Sequence, residues 1–174
     1  GVRNAMFEAA TTLQSGHINV AGFYKITAGL STPLVTDYKK VTEVVKKALP
    51  DVEYIVPRGR GYAKMVSDTG SMQSGISSID IDQEPYFKKI IKLTSGNFDD
   101  LKKPNSILIF EEHAKTLGVK VGDSMVISAL TGNGVNNTVD VRVVAIGEDV
   151  GVFSIFAVFV PYQVVNDLYQ INEN

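Results

Sequence analysis

The amino-acid sequence predicts an α+β fold made of two joined subdomains. Its 174 residues are enough for one large domain or two small ones, and 44% hydrophobic with 21% charged residues is ordinary for a folded protein. Segments with the 3.6-residue apolar period of helices alternate irregularly with short runs typical of strands. That order of elements predicts the α+β class.

Helices are predicted where apolar residues recur on one face. The clearest is ended by Pro50, and Asp82 is expected to cap a helix that Gly96 ends. In the last helix, Val164, Val165 and Leu168 are expected to face the core. The predicted helices cover residues 1–15, 41–49, 83–95, 111–117 and the stretch that begins at Pro161.

Strands are predicted where β-branched and aromatic residues cluster between turn residues. Residues 67–71 and 131–137 have the composition of hairpin turns. Residues 27–33, rich in Thr, Ser, Gly and Pro, are expected to form a loop. The predicted strands cover residues 17–20, 54–66, 71–81, 106–109, 123–130, 138–146 and 155–160.

Composition excludes several classes of function. The formal net charge is -2, from 17 basic and 19 acidic residues without blocks, which disfavours a nucleic-acid surface or a surface attracted to anionic lipid. The absence of cysteine excludes disulfides, thiolate metal sites and cysteine nucleophiles. No stretch approaches the roughly 20 apolar residues of a membrane helix.

The ligands of a metal site are not evident. His17 and His113 lie on different predicted elements, without carboxylates at ligand spacing. Residues 80–84 alternate acids like the start of a calcium loop, but Pro85 replaces the required glycine and Ile91 the bidentate glutamate. We therefore predict no metal in this chain.

Three glycine-containing stretches also fail as chemical motifs. The serines within 70–75 lack the G-x-S-x-G spacing of a nucleophile elbow. The Arg-Gly-Arg-Gly of 58–61 lies inside a strand pattern, which favours solvated strand residues over RNA binding. Residues 132–134 lack the lysine and helix of a phosphate loop. The sequence therefore predicts no catalytic constellation.

One ordered set of short motifs resembles a known family. Residues 117–123, Leu-Gly-Val-Lys-Val-Gly-Asp, followed by a strand, resemble the L-G-V-x-x-G-D signature of MacB-type periplasmic domains. In physical terms a helix ends at Gly118 and a Gly-Asp turn begins a strand. Ser78 and Phe110 stand where the family has glycine. Further stretches match in the same order at 13–20, 79–84, 90–96, 107–114, 143–147 and 158–164.

The sequence is thus similar to the periplasmic Porter/Sabre domain of ABC transporter permeases of the MacB, LolC, LolE and FtsX type. This resemblance implies a domain placed between the first two membrane helices. Residues 1–15 would extend the first membrane helix through the stripe Val2, Met6, Ala9 and Leu13. The Porter-like part would be 16–82 with 148–170, the Sabre-like part 83–147, and 171–174 would approach the second membrane helix.

The resemblance also implies location and partners. Family permeases form homo- or heterodimers with a cytoplasmic ABC ATPase, whose ATP hydrolysis drives export, extraction or signalling outside the membrane. The chain is therefore expected at the extracytoplasmic (periplasmic) face of the bacterial cell membrane. It would be no enzyme and carry no cofactor, since ATP binds the separate ATPase, and nucleic acid is not an expected partner.

The hairpin tip is the candidate contact with a periplasmic or outer-membrane partner, through Asn133, Val135 and Asn136. The LolC branch carries a longer, proline-containing hook there that grips a carrier, whereas this loop is short and has Val135 as its one apolar residue. We therefore predict a MacB-like exporter or related permease, not a carrier-docking one. The alternatives are a ligand- or partner-sensing domain of the same class and, more remotely, a small hydrolase.

Overall fold

The computed structural model describes residues 18–21, 24–27, 30–32, 38–131, 134–151, 154 and 157–170. It confirms the α+β class, because helices pack on a mixed sheet. The strands are β1 (Tyr24–Thr27), β2 (Leu30–Thr32), β3 (Arg60–Val66), β4 (Ser71–Ser78), β5 (Leu93–Gly96), β6 (Ser106–Phe110), β7 (Ser124–Leu130), β8 (Asn136–Gly147) and β9 (Ala157–Val160). The helices are α1 (Tyr38–Ala48), α2 (Phe87–Ile90), α3 (Glu111–Leu117) and α4 (Tyr162–Tyr169), with a 3₁₀ helix at Phe98–Lys102.

Seven strands form one sheet in the order β5-β8-β6-β9-β4-β3-β7. Because β7 also pairs with β8, six of these strands close into a ring, and β5 extends it beside the far half of β8. β9 runs parallel to β4 and β6 parallel to β8, whereas the other pairs are antiparallel. The ring therefore brings β7, the last strand in this order, back beside β8.

Two apolar clusters form the core. The first lies inside the ring, where alternate residues of its strands meet α4, and it includes Met65, Ile127 and Leu168. The second covers the outer face of β6, β8 and β9 beneath α2 and the 3₁₀ helix. In it, the rings of Phe87 and Phe159 meet edge to face, with centroids 4.8 Å apart.

Several predicted elements are confirmed closely. Both hairpins form, as β3–β4 and β7–β8, and α3 covers the predicted residues. α4 begins directly after Pro161 and buries Val164, Val165 and Leu168, as expected. α1 is also present, extended to Tyr38 at its start.

The helix predicted between Asp82 and Gly96 is wrong. α2 has only four residues, and the following stretch pairs with β8 as strand β5. Asp82 does not cap a helix. Its backbone N–H and the side chain of Gln83 both donate to the Asp80 carboxylate, which holds the chain in a turn.

Other predictions differ near the start. Residues 27–33 are not one loop, because β1 and β2 pair there as an antiparallel ladder. Residues 18–20 form no strand. The stalk helix predicted for 1–15, with Val2, Met6, Ala9 and Leu13, and residues 171–174 lie outside the described residues.

The two predicted subdomain ranges contribute to one sheet. β3, β4 and β9 come from 16–82 and 148–170, and β5 to β8 come from 83–147. The assignment of these ranges to Porter-like and Sabre-like parts stays a prediction.

Candidate functional site

An open groove runs along one side of α1. The helix is amphipathic, yet it buries no side chain, and Val44 is 59% exposed. The groove has a volume of about 630 Å³ and separates α1 from the chain that leads to β3. Its walls carry both apolar and polar side chains, among them Tyr38, Thr42, Lys46, Leu49, Glu53, Tyr54 and Gln83.

Beside the groove lies a buried ion pair between Arg58 and Glu84. The guanidinium is nearly buried and the carboxylate more so, and its Oε1 atom has no hydrogen-bond partner within the described residues. Burial raises the pKa of Glu84 above its ordinary value, although Arg58 opposes that rise. Burial and the Glu84 charge likewise raise the pKa of Tyr54. The attraction of Arg58 therefore does not fully offset the free-energy cost of removing the Glu84 carboxylate from water.

Two tyrosines extend this cluster toward the surface. The rings of Tyr54 and Tyr86 stack with centroids 6.1 Å apart, and Lys89 Nζ lies 4.8 Å from the Tyr86 ring centroid. Tyr86 Oη donates to Glu53 Oε1 at 2.8 Å, and this bond raises the pKa of Tyr86. The hydrogen bond and the ring stack hold the aromatic side chains at the groove in fixed positions.

The Arg-Gly-Arg-Gly stretch is explained by packing. A Cβ atom on Gly59 would lie 2.7 Å from Val165 Cγ1, and one on Gly61 would lie 2.0 Å from Tyr169 Oη. These glycines therefore let α4 approach the start of β3 closely. Sequence reasoning missed this role because the helix that requires it follows about one hundred residues later in the chain.

The glycines of the family signature have the expected conformations. Gly118 ends α3 with φ of 62°, and Gly122 has φ of 97°, both in the region that favours glycine. Asp123 Oδ2 accepts from the Lys120 N–H at 2.9 Å and fixes the turn before β7. Phe110 has φ of -106°, so its position does not require the glycine found in the family.

The predicted hairpin tip is exposed. Val135 and Asn136 are solvent-accessible, and Asn133 lies outside the described residues. The Thr131 N–H donates to the Val135 carbonyl at 2.8 Å, which closes the tip. The structure adds two exposed apolar residues that sequence reasoning missed, Leu130 beside the tip and Tyr62 on β3. An apolar residue at an outward-facing position of each strand was the available signal.

The two histidines do not meet. His17 lies outside the described residues, whereas His113 is buried, and its Nδ1 atom accepts from the Phe110 N–H at 3.3 Å. The described part of the chain has no cluster of three or more His, Cys, Asp or Glu able to hold a metal. Over the same residues, no helix is long and apolar enough to cross a membrane.

Comparison with known proteins gives a fold likeness. No family model matches the sequence, and no curated protein matches it. Among solved structures, the extracellular domain of the noncanonic ABC-type transporter YknZ from Gram-positive bacteria is similar, with a TM-score of 0.55 and 13% identity. The match covers 77% of this chain and 67% of that domain. The chain therefore shares the fold of a transporter's extracellular domain.

Proposed function

We propose that this chain is the extracytoplasmic domain of an ABC transporter permease of the MacB-like kind. In that role it couples ATP hydrolysis in a cytoplasmic ATPase to export, extraction or signalling outside the membrane. The fold shared with the YknZ domain carries the proposal. The L-G-V-x-x-G-D signature supports it, because both of its glycines adopt backbone conformations that favour glycine.

Helix α4 would receive the motion from the membrane. Beyond its three buried side chains, it is joined to the sheet at both ends. Gln163 exchanges two hydrogen bonds with Asn105, and Asn137 Nδ2 donates to the carbonyls of Asp167 and Leu168 at 2.8 and 3.1 Å. A displacement of α4 would therefore move the ring with it, since packed interiors resist local deformation.

The domain would have no catalytic residue and no cofactor of its own. Permease dimerisation, membrane helices and the ATPase are the partners that the proposal implies. The hydrolase alternative has little support, because the hydroxyl groups of the buried Ser74 and Ser154 donate to backbone carbonyls and not to a histidine or carboxylate.

Cysteine labelling in intact cells tests the location. This chain has no cysteine, so Asp68→Cys, in the exposed β3–β4 turn, supplies the single thiol of these 174 residues, and the variant is made in a full-length gene product whose other cysteines are replaced by serine. We expect a membrane-impermeant maleimide to label it without permeabilising the cytoplasmic membrane. Buried Ile107→Cys is the control that should stay unlabelled in the folded protein. Labelling of Asp68→Cys only after permeabilisation would overturn the proposal.

A sensing domain of the same permease class is the second candidate. The groove beside α1 favours it, because two tyrosines, a lysine and unburied apolar groups line one cleft. A photo-crosslinking amino acid at Tyr38 should then capture a ligand or partner, and the same group at exposed Asp149 should not. Equal crosslinking at both positions would count against this function.

The prediction against LolC-type carrier docking stays open. A pull-down with the lipoprotein carrier of the same organism tests it directly. Strong capture that Val135→Asp abolishes would place the chain in the carrier-docking branch and reject the MacB-like assignment.

A further inference from the structure

Three exposed apolar side chains lie at one end of the ring, and we name them the end patch. They are Tyr62, 79% exposed, Leu130, 67%, and Val135, 57%. The last β3–β7 pair in this direction joins Lys64 to Ser128. Two residues further on, the same register brings Tyr62 and Leu130 side by side on the outer face. Val135 is exposed at the hairpin tip, next to Asn136, the cross-strand partner of Leu130, so it lies at the edge of this surface.

The charges on the strands around the end patch are basic, and the acid of α4 at this end is Asp167, whose carbonyl accepts from Asn137. Arg60 and Lys64 flank Tyr62 on the outward face of β3, and both are exposed. On β7 the outward neighbour of Leu130 is Ser128, and across the hairpin it is Asn136. An acid on the outer face first occurs at Asp140, two positions beyond Thr138. This distribution is complementary to a negatively charged surface, although the net charge of the whole chain is -2.

Helix α4 ends at the same end of the ring. Tyr169 Oη donates to the Tyr62 carbonyl at 2.8 Å, which places the last turn of α4 against the strand that carries the end patch. Asn137, next to the hairpin tip, donates to the last carbonyls of α4. In the proposed function, the residues that follow α4 lead to a membrane helix.

We propose that the end patch rests on the outer surface of the lipid bilayer that anchors the permease. Tyrosine favours the interface between headgroups and acyl chains, where Leu130 and Val135 can also insert. Arg60 and Lys64 then lie at the level of anionic phosphates. This inference depends on the proposed function and deepens it, because it orients the domain with the exit of α4 toward the membrane.

A single tryptophan can report the contact. The chain has no tryptophan, so Tyr62→Trp creates one in the end patch, and Tyr162→Trp is the matched control at the opposite end of α4. Each full-chain variant carries a C-terminal histidine tag, which nickel-chelating lipid holds on vesicles of phosphatidylethanolamine and phosphatidylglycerol. We expect a blue shift and quenching by brominated lipid at position 62 and neither at position 162.

Binding of the untagged protein to vesicles tests whether the basic and apolar side chains of this surface attract lipid. Partition of the natural chain onto the anionic vesicles is expected to exceed partition onto phosphatidylcholine. Arg60→Gln with Lys64→Gln should lower the partition coefficient about 25-fold, at about fivefold for each charge near an anionic surface. Leu130→Ser should lower it further, while circular dichroism shows that each variant folds.

Four outcomes would overturn the inference. Equal responses at positions 62 and 162 would show that the end patch does not meet lipid. A response at position 62 that grows with protein concentration in the absence of vesicles would assign the patch to a second copy of this chain. Extracytoplasmic labelling of Asp68→Cys together with no lipid contact would reject the inference alone, whereas cytoplasmic labelling would reject the proposed function and this inference together.

Discussion

Helices α1 and α4 have similar sequence patterns and opposite environments. Both carry an apolar stripe on one face, but α4 buries Val164, Val165 and Leu168, whereas α1 buries nothing. α4 lies over Gly59 and Gly61, at the start of β3, which leave room for its side chains, and hydrogen bonds join it to the sheet at both ends. α1 faces an open groove. An apolar stripe therefore predicts a helix without predicting the surface that covers it.

The largest effect is expected from truncating the buried face of α4. Leu168→Ala should lower the free energy of unfolding by about 4 kcal/mol, because it leaves a cavity in the first core cluster. Urea denaturation followed by circular dichroism measures it. Leu49→Ala at the end of α1 is the matched control, and an equal loss there would break the contrast between the helices.

A second large effect is expected at the buried ion pair between Arg58 and Glu84. Arg58→Met should cost about 3 kcal/mol at neutral pH, because it leaves the Glu84 carboxylate buried without its cation. The double variant Arg58→Met with Glu84→Leu should recover part of that loss in the same urea assay. A double variant less stable than Arg58→Met would show that the pair contributes more than its burial costs.

The stability difference between the natural protein and Glu84→Gln should depend on pH. Burial raises the folded-state pKa of Glu84 above 4.5, so folding takes up a proton when the pH lies between the unfolded and folded values. The natural protein therefore gains stability relative to Glu84→Gln as the pH falls from 7 toward 4.5. Urea midpoints across that range measure the difference. A difference that shrinks with falling pH would contradict the raised pKa.

A moderate effect is expected from the close approach of α4 to β3. Gly59→Ala should cost about 2 kcal/mol, because its Cβ would lie 2.7 Å from Val165 Cγ1 in a packed region. Thermal unfolding measures the loss. The second variant Gly59→Ala with Val165→Ala should relieve the overlap, and a cost that is simply additive would contradict this explanation.

The smallest effect is expected on α1. Val44→Ser should change the free energy of unfolding by less than about 0.5 kcal/mol, because the side chain is 59% exposed. The same change at buried Val164 in α4 should cost several times more in urea denaturation. A large loss at Val44 would show that the α1 stripe already packs in the isolated chain.

Short sequence patterns correctly predicted the elements whose apolar stripes and ends lie within the element itself. α3 and α4 have their own stripes and clear ends at Gly118 and Pro161, and both hairpins have their own turn residues. The stretch that contains β5 was predicted as helix because it lies between Asp82, a residue typical of helix starts, and Gly96, a residue typical of helix ends. Only its pairing with β8, fifty residues later, makes it a strand.

Contacts between residues distant in sequence were harder to predict for the same reason. The glycines beside Arg58 and Arg60 serve a helix distant in sequence, and Glu84 meets its partner across 26 residues. The exposed Tyr62 and Leu130 come together only through the β3–β7 register. The nearly balanced net charge of the chain likewise did not indicate that Arg60 and Lys64 lie on either side of Tyr62, because composition averages over the whole molecule.

The position of β9 sets the order in which the chain can finish folding during synthesis. This strand of four residues lies between β4 and β6, although it follows both in sequence. On the ribosome, β4 and β6 therefore emerge with facing edges unpaired until residues 157–160 leave the exit tunnel. Closure of the ring is consequently one of the last events of translation of this domain, and α4, made next, completes its interior.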